Sequence, residues 1–266
     1  MARTALITGA SAGLGTEFAR LCAHDKCDLV LVARRRDRLE TLAAELETAH
    51  GVKAHVIAAD LGSAGGASGL VSELRTRGIS IDILVNNAGF GTCGRFVELD
   101  AAREMEELQL NIVSLVSLTH ALLPQMIARK QGWILNIGST AGFQPGPYMA
   151  VYYASKAFVN SFTEALSFEL RGTGVTATVS CPGATKTEFA SVAGTDSSRL
   201  FRMGASSAAD VAREAYAAML AGKPMIVHGL KNKLGVQLQR ISPRAVVRML
   251  AASLNRPPPS SKALPG

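Results

Sequence analysis

Close to its first residue the chain passes from strand to helix through a run of small residues. Residues 3–8, R-T-A-L-I-T, read as a short buried strand, and a helix opens at Gly13 and continues to about His24; between them lies T-G-A-S-A-G-L-G. Small residues let the backbone approach a pyrophosphate, and the helix start offers free N–H groups and a positive dipole end. The spacing is G-x-x-x-G-x-G rather than the commoner G-x-G-x-x-G. The turn also matches G-x-S-x-G at Gly9, Ser11 and Gly13, the register of a hydrolase nucleophile elbow. An elbow takes one oxyanion N–H from a loop after an earlier strand, for which the eight residues before Gly9 leave no room, and Ile137 breaks the pattern around Ser139. A hydrolase is disfavoured.

Strand and helix patterns alternate from there on. Apolar runs at D-L-V-L-V-A, K-A-H-V-I-A-A, I-D-I-L-V, residues 132–138, V-T-A-T-V-S and P-M-I-V-H are separated by helical patterns near 64–77, 103–129, 151–171 and 207–221. That alternation predicts a parallel sheet covered on both faces, a single doubly wound α/β domain over residues 1–230. Residues 184–206 lack firm periodicity and read as a substrate lid or mobile loop at the ligand edge.

Chemistry gathers around residues 139–156. Tyr152 and Lys156 stand one helical turn apart, and Ser139 ends the strand before them, so the three converge on the rim where open α/β sheets bind ligands. A nearby ammonium is expected to lower the phenol's pKa, and Ser139 is placed to donate to the same substrate oxygen. The plainer alternative is an amphipathic helix with a surface lysine. Phe90, Phe143, Tyr148, Met149 and Phe189 are candidates for an apolar pocket wall. After the second strand, Ala33 fills the slot where an acidic residue would bond a ribose 2′-hydroxyl, and Arg34, Arg35 and Arg36 follow. Arginines there suit a 2′-phosphate, so NADP(H) is preferred over NAD(H). Asp60 is placed to accept from an adenine amino group, and N-N-A-G at 86–89 permits close approach.

The 266 residues carry +7 formally, yet from Lys223 onward there are eight basic residues and no acidic one. The body is therefore close to neutral, which argues against nucleic-acid binding. Cys22, Cys27, Cys93 and Cys181 form no metal-ligand spacing, and with no leader pattern in view they read as reduced thiols of a cytoplasmic protein. No apolar run reaches membrane-spanning length. In the basic extension, 231–266, Ser242-Pro243 opens a helix through about Leu254, read as packing on the core or a partner subunit with its arginines solvated; peripheral membrane contact is the less favoured reading. The last ten residues read as disordered.

With these motifs in one order, the chain closely resembles the short-chain dehydrogenase/reductase family over about residues 3–228: T-G-A-S-A-G-L-G, Asp60, N-N-A-G, Asn111, Ser139, Y-x-x-x-K at 152–156 and P-G-A-T-K-T at 182–187. The resemblance implies Tyr152, rather than Tyr153, as acid/base, Lys156 also on the nicotinamide ribose, Ser139 polarising the carbonyl and Asn111 in a water-linked proton relay to Lys156. It places the cofactor on Gly9, Ser11, Gly13, Leu14, Gly15, Asp60, Leu61, Asn87, Tyr152, Lys156 and Thr187. Ala12 stands where some NADP-dependent members have a basic residue, leaving the phosphate to Ser11, Arg34 and Arg35. A dimer or tetramer is implied, and the cysteine and histidine spacing predicts no metal. The expected activity is NADP(H)-dependent interconversion of a carbonyl and a secondary alcohol on a small, apolar substrate; the alternative is a non-catalytic dinucleotide sensor or docking protein.

Overall fold

The computed structural model describes residues 2–194 and 205–257. Seven strands make one sheet: β1 (Thr4–Thr8), β2 (Asp28–Ala33), β3 (Ala54–Ala58), β4 (Ile83–Asn86), β5 (Gly132–Ile137), β6 (Val175–Cys181) and β7 (Met225–Val227). Their order is β3-β2-β1-β4-β5-β6-β7 and every pairing is parallel. The helices are α1 (Gly13–His24), α2 (Arg36–His50), α3 (Gly66–Thr76), α4 (Ala101–Leu108), α5 (Leu115–Ala128), α6 (Ala150–Glu169), α7 (Phe189–Ala193), α8 (Ala208–Leu220), α9 (Leu230–Ile241) and α10 (Arg244–Asn255).

Alternate strand residues supply the two faces, because successive side chains in a strand point opposite ways. Ala5, Ile7, Leu29, Leu31, Ile83 and Val85 join Phe18, Cys22, Leu39 and Met219 of α1, α2 and α8 in one core. Leu6, Val30, Val32 and Leu84 join Leu70, Leu74, Leu118 and Leu122 of α3 and α5 in the other. The middle positions of β1, β2 and β4 are apolar on both faces for that reason, with each buried Leu or Ile contributing about 1.5–3 kcal/mol. The chain leaves β1 for β2 on one side and enters β4 on the other, and a ligand crevice opens at that switch point.

The expected helix over 103–129 is continuous from Ala101 to Ala128, long and apolar enough to cross a membrane by length and composition. It is a core helix on its inner side, where Leu118, Leu122 and Met126 are buried. A π-helical turn, Gln109–Ser114, interrupts it at Asn111.

Two expectations change. Within the segment expected to be irregular, α7 forms and Thr185 bridges to Ser206; residues 195–204 lie outside the described residues. The extension holds two helices where one was expected, since α9 precedes α10. Its leucines fall at helical spacing facing away from the core, a pattern easily passed over when burial is the signal sought. Nearly all of the terminal segment expected to be disordered lies outside the described residues.

Candidate active site

A cleft of about 430 Å³ runs along the carboxyl ends of the strands, from Arg34 and Arg35 past Gly9, Asp60 and Asn87 to Ser139, Tyr152 and Lys156. Ser11, Gly13, Leu14, Leu61 and Thr187 also line it. Gly15 and Asn111 lie outside that lining.

The turn after β1 is shaped for close approach. Gly9 and Gly13 adopt φ of +67° and +57°, a region side chains rarely enter. Helix α1 starts with no side-chain cap on its first N–H groups, leaving donors and a positive dipole end toward the cleft. Gly15 serves packing instead: a Cβ there would lie 2.2 Å from the Gly9 carbonyl oxygen. Asn87 braces the same turn, donating to the Thr8 and Gly9 carbonyls at 2.8 and 3.3 Å. A bare-backbone turn, an open helix N-terminus and a cleft leading away from both fit a dinucleotide.

The basic end is partly spoken for. Arg35 donates to Ser11 Oγ through Nε and Nη2 at 3.3 and 3.1 Å, and through Nη2 to Glu188 Oε2 at 2.8 Å. Arg38 donates to the other Glu188 oxygen at 2.6 Å. These bonds, Arg38 first, hold the Glu188 carboxyl below its ordinary range. Arg34 pairs with Glu106 at 3.3 Å. Glu188 was missed in the sequence because it reaches Arg35 only across the fold.

At the other end, β5 stops at Ile137 and Ser139 caps the turn that follows, its Oγ accepting from Ala141 N at 3.0 Å and approaching the Pro182 carbonyl at 3.4 Å. Lys156 donates from Nζ to the Ile137 carbonyl at 2.7 Å. Burial raises the Tyr152 pKa, outweighing the opposing influence of the neighbouring Ser139 side chain. The expectation that Lys156 lowers it is therefore corrected. The ammonium is itself destabilised by burial, its pKa pushed down to about 8 with Glu107 and Cys181 opposing the shift. Tyr153 turns its hydroxyl to Asn255 Oδ1 at 3.0 Å, away from the serine. Asn111 donates to Phe90 O and Ser155 Oγ at 2.9 and 3.1 Å and accepts from Phe90 N at 3.2 Å, so its side chain braces the loop after β4 and has no direct bond to Lys156.

Behind this pair lies a feature the sequence did not reveal. Thr92 Oγ1 bonds Glu104 Oε1 and, at 3.1 Å, Glu107 Oε2. Both glutamates are buried, with Glu107 wholly inaccessible. A threonine hydroxyl has one proton, so one bond needs a protonated carboxyl as donor. Burial pushes the Glu107 carboxyl up to about 7, the Thr92 bond and Lys156 opposing and Glu104 adding to the shift.

Phe90, Met149 and Phe189 line the cleft as expected of wall residues. Phe143 packs instead against the Leu115–Val159 core, and Tyr148 sits in a turn with φ +69° outside the lining. Burial raises the Cys93 thiol and pushes that of Cys181 up to about 12. Ser11 Oγ contacts Arg35 rather than a histidine. A Ser180–His228–Glu214 chain, with contacts of 2.9 and 2.8 Å, has the composition of a hydrolytic triad, but its serine is wholly buried on β6. No group of three His, Cys, Asp or Glu suited to a metal ion occurs among the described residues.

The family described as short chain dehydrogenase matches residues 3–198. Sulfoacetaldehyde reductase 2 of Chromohalobacter salexigens is 39% identical over 71% of this chain and 75% of its own. The very-long-chain 3-oxoacyl-CoA reductase of Anas platyrhynchos is 33% identical over 64% of this chain and 56% of its own. This chain spans less than two thirds of several curated relatives. A short-chain dehydrogenase from Sphingobium yanoikuyae, solved in complex with NADPH, superposes with a TM-score of 0.80 at 30% identity, covering 97% of this chain and 99% of that one.

Proposed function

The chain belongs to the short-chain dehydrogenase family, and from that membership we propose that it interconverts a carbonyl and a secondary alcohol with NADP(H). One observation carries the reading: Ser139, Tyr152 and Lys156 meet at one end of a cleft whose other end holds Ser11 and Arg35. When bound, the dinucleotide supplies the hydride for reduction or takes it up in oxidation. The chain's own part is to hold the carbonyl oxygen and move one proton. Ser139 donates to that oxygen, and the phenol of Tyr152, kept protonated by burial, passes its proton there as negative charge develops. An ammonium has three donors, so the bond from Lys156 to Ile137 leaves others for the nicotinamide ribose. Ser11, Arg34 and Arg35 would hold the 2′-phosphate, and Phe90, Met149 and Phe189 favour an apolar substrate.

The same proposal divides the chain into a catalytic domain, 1–230, and a basic extension, 231–266. It sets the protein in the cytoplasm as a dimer or tetramer, for which exposed Met105 and Phe168 on α4 and α6 offer apolar surface. The test is turnover of a panel of apolar ketones with NADPH and with NADH. Reduction of at least one ketone, faster with NADPH, is expected. Silence across the panel with NADPH still bound would favour the dinucleotide sensor.

A further inference from the structure

Helices α9 and α10 present apolar side chains to solvent where a helix on a protein surface normally presents polar ones. At 100° per residue, Leu230, Leu234, Leu238 and Ile241 of α9 fall within about 80° of one another. They are 82%, 61%, 49% and 81% exposed. Val236, the buried residue of α9, lies on the opposite side. Exposed Lys231 flanks the row on one edge and Lys233 and Arg240 on the other. Helix α10 adds apolar surface: Val247, Ala251 and Asn255 are buried, while Val246, Met249 and Leu250 face outward.

The charge decides what such a face fits. From Lys223 onward the chain has eight basic residues and no acidic one. A two-fold contact between copies would set this face against itself, positive against positive. An anionic bilayer satisfies both features, taking the apolar row into the boundary of headgroup and acyl chain and the lysines and arginines among the phosphates. We propose that α9 and α10 form a docking surface for an anionic membrane. The same helix α10 closes the substrate end of the cleft with Leu254 and Asn255, and Asn255 is fastened there by Tyr153 and by its bond to the Pro147 carbonyl at 3.2 Å. Docking would thus bring the cleft close to the lipid surface. The proposal is independent of the catalytic reading, since a chain without turnover would still bind.

The test is co-sedimentation of the full chain with phosphatidylcholine vesicles, with and without phosphatidylserine. Binding to the anionic vesicles only, weakened by salt, is expected. The double variant Leu234→Ser/Ile241→Ser should lose about tenfold in affinity, and Lys231→Glu/Lys233→Glu should lose the anionic preference. Both pairs are exposed, so thermal unfolding midpoints should stay near that of the unmodified chain. Failure to sediment with anionic vesicles would overturn the proposal, as would sedimentation that the leucine and isoleucine changes leave untouched. So would a concentration-dependent oligomer in light scattering that Leu234→Ser/Ile241→Ser dissociates, because the face would then belong to a second copy. Tight capture of an acidic protein with no vesicle binding would overturn it equally.

Discussion

Glu188 accepts from Arg35 at 2.8 Å, across 153 residues of sequence. The pair ties the loop before α7 to the end of β2, over the part of the cleft where a 2′-phosphate would lie in the proposed function. Carboxylate and phosphate would then compete for one guanidinium. Glu188→Gln should lower the Kd for NADPH and leave that for NADH unchanged. Exposed ion pairs are worth about 1 kcal/mol or less, so the gain should be at most about fivefold. Arg35→Ala should weaken NADPH binding selectively. Fluorescence titration of both dinucleotides reads the effect, and equal shifts for the two would show that the phosphate is bound elsewhere.

Tyr152→Phe keeps the ring against Phe189, whose centroid lies 5.1 Å away, and removes only the hydroxyl. Turnover should fall by about 10²–10⁴ while NADPH affinity is unchanged. Because burial raises the phenol's pKa, the protonated form prevails at neutral pH. Carbonyl reduction should therefore show no phenol ionisation near pH 7, and alcohol oxidation should climb as pH rises above it. Initial rates in both directions would check this. An oxidation rate that has already levelled off at pH 7 would mean that the phenolate forms readily and that burial does not dominate.

These two sites differ in how far the sequence disclosed them. Tyr152, Lys156 and Ser139 are legible because a helical turn and a strand end fix where local neighbours project, and the alternation of apolar runs discloses the sheet in the same way. Glu188 on Arg35, Asn111 on Phe90, and the outward leucines of α9 are not legible. Each depends on which segments meet in three dimensions, and no spacing encodes that. The Tyr152 pKa failed for a related reason: charge spacing along a helix can be read from sequence, but depth of burial cannot.

Two glycines offer opposite outcomes for one substitution. At Gly15 an added Cβ would sit 2.2 Å from the Gly9 carbonyl, and backbone cannot yield as a side-chain tip can. Gly15→Ala should deform the turn and reduce both stability and dinucleotide affinity. At Gly69, exposed within α3, a Cβ meets nothing within 4 Å. Gly69→Ala should stabilise by about 0.5–1 kcal/mol, because glycine is the poorer helix former. Urea unfolding of both variants measures the contrast. A Gly15→Ala protein as stable as the parent would refute the close approach.

The buried Glu104–Thr92–Glu107 cluster should make stability depend on pH through a group that touches neither substrate nor solvent. The Glu107 carboxyl rises from an ordinary 4.5 to about 7 in the folded chain. A folded pKa above the unfolded one means that the native state holds a proton the unfolded chain releases. That contribution is complete below pH 4.5 and is lost as pH rises through about 7. Glu107→Gln is nearly isosteric and can still donate to Thr92, so it should fold and should flatten the stability curve over that window. The change reaches the active site as well. Glu107 opposes the downward shift of Lys156, so its removal should lower the lysine's pKa below about 8 and move the corresponding limb of the pH–rate profile toward lower pH. Urea midpoints at intervals from pH 4.5 to 8, set beside kcat over the same range, test both effects. Parallel stability curves for the two proteins would mean that Glu107 exchanges no proton over that window, and its assignment as the raised carboxyl would have to be abandoned.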